Sequence, residues 1–168
     1  MPLACSVGLA IGFALLALRR FGATPRWWQV LPLLGALALV VVLDVRIRII
    51  PDIITLPGLA YGLGLAALAA RNPTVVEAVL GALVGGGVVL LVAIVSRGGM
   101  GGGDIKLMAM LGAALGWRGA LTALAVSQVV GAMIVLGVLV VRRRRPGRHL
   151  PVGALIAFFG AILLIYAR

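Results

Sequence analysis

Residues 74–95 read TVVEAVLGALVGGGVVLLVAIV, with one charged side chain, Glu77, near the start and none in the apolar run that follows. A helix that spans a bilayer needs about 20 predominantly apolar residues, and this stretch meets that length. Gly81, Gly85, Gly86 and Gly87 add the small-xxx-small spacing that lets helices pack closely in lipid. Six further apolar segments lie outward from it: Leu3–Leu18, Trp27–Leu43, Ile53–Ala70, Ile105–Gly116, Gly119–Val141 and Leu150–Ala167. Gly119–Val141 crosses readily, whereas Leu3–Leu18 is marginal. Ile105–Gly116 reaches only about 18 Å at about 1.5 Å per residue. It crosses only if it starts near Asp104, runs to Trp117, and meets a thinned bilayer or buries its ends in protein. The expected fold class is all-α: a polytopic transmembrane helix bundle of six to seven membrane helices. It forms a single domain over residues 1–168, with a core at about 27–168 and an extra N-terminal helix and loop at 1–26.

Composition agrees. Hydrophobic residues make up 63% of the chain, against about 45–50% in soluble domains. A soluble core of this length has no room for so much apolar surface, so lipid is the solvent for most of it. The formal net charge is +11, which in a soluble protein raises nucleic-acid binding. Here the basic residues fall in short gaps between apolar runs, the pattern of topology signals and anionic-lipid contacts, and no nucleic-acid partner is expected. Cys5 is the single cysteine and His149 the single histidine. An internal disulfide and a cysteine-based zinc cluster are thereby excluded, Cys5 reads as a buried free thiol, and no metal or cofactor is expected. Trp27, Trp28 and Trp117 stand at segment edges, as interfacial aromatics do.

Only four residues are acidic: Asp44, Asp52, Glu77 and Asp104. Ionisable groups near a bilayer are costly and are functional candidates by default. Two spanning runs, Ile53–Ala70 and Thr74–Val95, separate Asp44 from Asp104. An even number of crossings returns the chain to the same side, so both aspartates belong to one membrane face. If Arg46 and Arg48 are cytoplasmic, that face also gathers Arg97, Lys106 and the Arg142–Arg148 cluster, the larger share of the 15 basic residues.

The first aspartate motif is Asp44-Val45-Arg46-Ile47-Arg48-Ile49-Ile50-Pro51-Asp52. Asp44 ends an apolar run, and Pro51 stops a continuing helix. Taken alone, Asp44 equally fits a helix-end carboxylate bonded to Arg48 or to a loop amide. The second motif is Gly98-Gly99-Met100-Gly101-Gly102-Gly103-Asp104-Ile105-Lys106. Its glycines suit a tight, mobile start to a helix, with Asp104 near the N-cap. Taken alone it is a flexible loop with a capping aspartate; no strand precedes it and Lys106 is not placed as in a phosphate loop. As a pair, two carboxylates in low dielectric cannot both ionise cheaply, so one is expected to hold a proton while the other is charged. That arrangement activates water for amide hydrolysis without a nucleophilic side chain or a metal. Carboxylates in a helix bundle also relay protons, so a small proton-coupled transporter is the alternative.

Gly101-Gly102-Gly103-Asp104 matches the GxGD signature of intramembrane aspartic peptidases, and with Ile105-Lys106 it closely resembles the GxGDxK form of type IV prepilin peptidases. Asp44 with Pro51-Asp52 resembles that family's first-aspartate motif, and Leu150-Pro151-Val152-Gly153-Ala154 resembles the start of its final helix. The resemblance runs from about Val40 to the C-terminus. It implies that Asp44 and Asp104 are the catalytic pair, with Gly101, Gly103, Lys106, Pro51 and Asp52 as supporting motif residues. It implies a substrate as well: the short basic leader of type IV prepilins or related pseudopilins, cut at the cytoplasmic face of the inner membrane. A presenilin-like peptidase with non-pilin substrates shares the chemistry. Family members that also methylate the new N-terminus carry paired CxxC motifs; with one cysteine here, methyltransferase activity is expected to be absent. The substrate's cleavage site must be unwound, a motion the Gly98–Gly103 loop would serve. A basic leader would meet Asp52, or Asp44 itself before catalysis; Lys106 and the Arg142–Arg148 cluster, which would repel that leader, are assigned to anionic lipid and topology.

Overall fold

A computed structural model describes residues 2–21, 25–69, 73–97, 100–142 and 152–166. It is all-helical over those residues: α1 Pro2–Phe21, α2 Pro25–Ile47, α3 Asp52–Ala69, α4 Val75–Val95, α5 Gly102–Arg142 and α6 Val152–Tyr166. Three described stretches are long and apolar enough to cross a membrane: Gln29–Ile47, Val75–Val95 and Gly102–Gly137. Large apolar side chains such as Leu83, Leu91 and Val95 point outward, as they do where lipid replaces water. The chain is a helical membrane bundle.

The helix ends follow from local chemistry. Arg48 takes the left-handed conformation (φ 54°), and its N–H donates to the Asp44 carbonyl at 3.1 Å, which closes α2. Pro51 then caps α3 from outside: its carbonyl accepts from the Ile54 and Thr55 N–H groups at 3.1 and 3.4 Å. Asp52 opens α3, where a negative side chain suits the helix dipole. Thr74 and Glu77 form a reciprocal capping box at the start of α4.

The segments Ile105–Gly116 and Gly119–Val141 are two helices, as expected: they meet at Gly116 within α5, and Gly85 of α4 lies against both Met108 and Ala120, so the chain folds back there. Gly116 (φ 72°, ψ 173°) breaks the helical geometry within α5 without a loop, a conformation a residue with a Cβ adopts only under strain. Below the kink, α5 is the centre of the bundle. A Cβ built on Gly58 of α3 would strike Met110, and one on Gly62 would strike Ala113, so α3 runs parallel to α5 here. A Cβ on Gly85 of α4 would lie 2.7 Å from the Met108 carbonyl, and Gly81 and Gly112 meet backbone to backbone, so α4 runs antiparallel to it. Gly153 of α6 lies against Asp104 and Gly160 against Leu111, so α6 runs parallel to α5 here. Leu107, Met108, Met110 and Leu111 are accordingly buried on every side. α2 is held to α3 by the Tyr61 hydroxyl, which donates to the Gln29 carbonyl at 3.0 Å. α1 packs on α2 and α6, with Phe13 against Phe158 at a centroid distance of 5.7 Å. Trp117 is partly exposed beside the kink, under the Arg118 guanidinium. The side chains of Cys5, Trp27 and Trp28, and all of Gly98, Gly99, His149 and Arg143–Arg148, lie outside the described residues.

The small-xxx-small reading of α4 therefore holds for Gly81, Gly85 and Gly86, while a Cβ on Gly87 meets nothing within 4 Å. Gly81→Ala is expected to destabilise the bundle by about 1–3 kcal/mol, the range for overpacking a close contact. Gly87→Ala is expected to be neutral or slightly stabilising. Thermal unfolding of the two variants in the same detergent checks the contrast.

Candidate active site

Three helix ends converge at one end of the bundle. Asp44 is in the last turn of α2 and Asp104 in the first turn of α5. Gly153 is the second residue of α6. An ideal Cβ on Gly153 would lie 2.7 Å from Asp104 Oδ1 and 3.1 Å from Asp44 Oδ2. Both carboxylates thus close on the same bare backbone position, one from each side. The sequence expectation of a shared face is met in its strongest form: the two aspartates are neighbours.

Each carboxylate is also tied to a helix start. The Ala154 N–H donates to Asp44 Oδ2 at 2.6 Å, across 110 residues of chain. Asp44 is otherwise enclosed, with 7% of its surface exposed. The Gly101 N–H donates to Asp104 Oδ2 at 3.2 Å, and the Asp104 N–H donates to the Gly101 carbonyl at 3.1 Å. Asp104 was expected near the N-cap; it is the third residue of the helix and bonds back to the residue before it, as the acidic member of a capping box does. The alternative of Asp44 as a plain helix-end carboxylate is answered in part: it does bond an amide, but the amide belongs to another helix.

Ile50 is the wedge that sets this convergence. Its side chain packs under Gly103, where an added Cβ would lie 2.8 Å from Ile50 Cβ, and against Gly153, where an added Cβ would lie 2.6 Å from Ile50 Cδ1. Of the motif glycines, Gly103 is required by close approach. Gly101 has room for a methyl group, with only Asp104 Oδ2 in reach at 3.7 Å. Pro51 sits beside this wedge and ends the connection between α2 and α3.

Asp52 and Lys106 do not join the carboxylate pair. Lys106 Nζ meets Asp52 Oδ2 at 2.6 Å, at the exposed rim of the same end. Lys106, assigned from the sequence to lipid and topology, also has a protein partner: parallel packing of α3 on α5 brings their first turns together, and the ammonium finds a carboxylate there. Among the described residues, no three His, Cys, Asp or Glu side chains gather as metal ligands do. Sequence reasoning assigned no role to Ile50, Gly153 or Ala154. A glycine immediately after Pro151-Val152, opening an otherwise bulky apolar helix, is the signal that pointed there.

With Cys5 changed to Ser, cysteines at 44 and 104 are expected to be bridged by a short bifunctional thiol reagent in native membranes. Gly153→Leu in that background fills the gap between them, and the bridged fraction, read by gel mobility, is expected to fall well below that of the parent.

Known proteins carry the same sequence pattern. Residues 31–136 match the model of the Type IV leader peptidase family. The "Prepilin leader peptidase/N-methyltransferase" of Pseudomonas putida is 34% identical, over 93% of this chain and 57% of its own length. Its namesake in Aeromonas hydrophila is 34% identical over 84% of this chain and 51% of its own, and that of Bacillus subtilis 29% over 88% and 59%. The chain spans about half the length of the curated relatives it matches. No solved structure matches it. With Asp44 and Asp104 both inside the matched region, the chain belongs to the Type IV leader peptidase family.

Proposed function

We propose that this chain is an intramembrane aspartic endopeptidase that removes the short basic leader of type IV prepilins or related pseudopilins, with Asp44 and Asp104 as its catalytic residues. The observation that carries the proposal is the meeting of the two carboxylates at Gly153. Family membership and the peptidase activity named for the relatives agree with it.

The chemistry follows from the pair. Two carboxylates this close share one proton between them. The ionised member takes a proton from a water molecule as its oxygen attacks the scissile carbonyl carbon. The protonated member hydrogen-bonds the carbonyl oxygen and gives it the proton as the tetrahedral adduct forms. Collapse of the adduct re-forms the carbonyl, breaks the C–N bond and passes a proton to the leaving nitrogen. One water is consumed, and the pair returns to its starting protonation. The Ala154 and Gly101 N–H groups fix the orientation of one oxygen on each aspartate, leaving the other two oxygens for water and substrate.

Orientation is read from charge. Arg46, Arg48, Arg97 and Lys106 all belong to the aspartate end, because it collects the C-terminal ends of α2 and α4 and the start of α5. By the positive-inside rule this is the cytoplasmic end of an inner-membrane protein. A pilin leader, which lies just before an apolar helix, would arrive there.

Co-expression with a candidate prepilin, followed by leader loss on a gel, tests the proposal. Wild type is expected to cleave. Asp44→Asn and Asp104→Asn, which keep shape and remove ionisation, are each expected to lower the rate by at least about 100-fold. Cleavage that survives in either variant removes that aspartate from the mechanism. No cleavage of any prepilin by well-folded wild type would favour a proton-relay role.

A further inference from the structure

Beyond the two bonds between Gly101 and Asp104, the glycines of the turn that carries Asp104 give it few contacts. A Cβ built on Gly102 meets nothing within 4 Å, and one on Gly101 meets only the Asp104 carboxylate. Of its three glycines only Gly103 is in tight contact, on Ile50, and Ile50 belongs to the four-residue strap, 48–51, between α2 and α3. That strap begins at the Arg48 cap on the Asp44 carbonyl and ends at Asp52. Asp52 is where α5 reaches back, through Lys106 Nζ at 2.6 Å. It is the one ion pair among the described residues, and it joins two segments 54 residues apart. A closed loop results: Asp44, the strap with its Ile50 wedge, Asp52, Lys106, and Asp104 one half-turn before Lys106.

We propose that Asp52 and Lys106 are positioning residues: their ion pair holds the strap down on the first turn of α5 and so sets the separation of Asp44 and Asp104. Neither side chain touches the carboxylate pair. Both are substantially exposed, 42% for Lys106 and 54% for Asp52, so the effect is that of a rim clamp, and its size is that of an exposed ion pair. The kinetic consequence rests on the peptidase reading; the geometric one does not.

Two measurements test it. In purified protein with a cleavable prepilin, Asp52→Asn and Lys106→Gln are each expected to lower kcat by up to about fivefold with KM unchanged, the reach of a pair at an exposed site. The reversed pair, Asp52→Lys with Lys106→Asp, is expected to recover most of that loss, because a clamp works with either polarity. In parallel, the reagent-bridged fraction between cysteines at 44 and 104, in the Cys5→Ser background, is expected to fall in each single variant and recover in the reversal. This second readout uses protein without either aspartate, so it decides the clamp even if wild type cleaves no prepilin, in which case only the peptidase reading fails. Unchanged bridging in the single variants overturns the clamp. So does a kcat loss that the reversal deepens, which would mean that the Lys106 charge acts on substrate or on Asp104 directly.

Discussion

The bare Cα of Gly153, lying between two carboxylates, is the contact on which the aspartate end of this bundle depends. It lets α6 come close enough for the Ala154 N–H to reach Asp44, and it leaves Asp104 facing the same spot from α5. A methyl group there would meet Ile50 and both aspartates at once. Burying two acidic groups in a largely apolar bundle is unfavourable unless each finds donors and the pair shares a proton. One backbone amide for each, at the starts of α6 and α5, supplies the fixed part of that compensation.

The rest of the fold sets the height at which these groups meet. α5 cannot slide along α4, because Gly81, Gly85 and Gly86 interlock with the backbone of Gly112, Met108 and Ala109. It cannot slide along α3 or α6, where Gly58 and Gly160 receive Met110 and Leu111. In lipid, where apolar side chains gain little by leaving one hydrocarbon surface for another, such close packing is what specifies register. Asp104 stands two turns before Leu111 and one turn before Met108, so glycine contacts well inside the bundle fix the site at its end.

Much of this was legible in the sequence. The apolar runs announced the helices because almost no charge interrupts them, and counting two crossings between Asp44 and Asp104 brought both to one side. The glycines of α4 read correctly as packing positions in three cases out of four; Gly87 faces away, a difference of helical phase that spacing alone does not reveal. The Leu115-Gly116-Trp117-Arg118-Gly119 stretch read as a gap between helices, and Gly116, at a positive φ, breaks the helical geometry there. What sequence could not supply was contact between distant residues. The Ile50 wedge, the Gly153 seat and the Lys106–Asp52 pair each depend on how four helices sit together, and nothing local to Lys106 distinguishes an ammonium bound to a carboxylate from one bound to a lipid headgroup.

The central claim is that two carboxylates act as one catalytic unit, and the pH dependence of kcat/KM for prepilin cleavage by purified protein tests it most directly. A bell-shaped profile is expected, since activity requires one proton on the pair, neither none nor two. The same profile is expected after Cys5→Ser. A profile with no acid limb, or one whose shape changes when Cys5 is replaced, would contradict the paired-carboxylate mechanism.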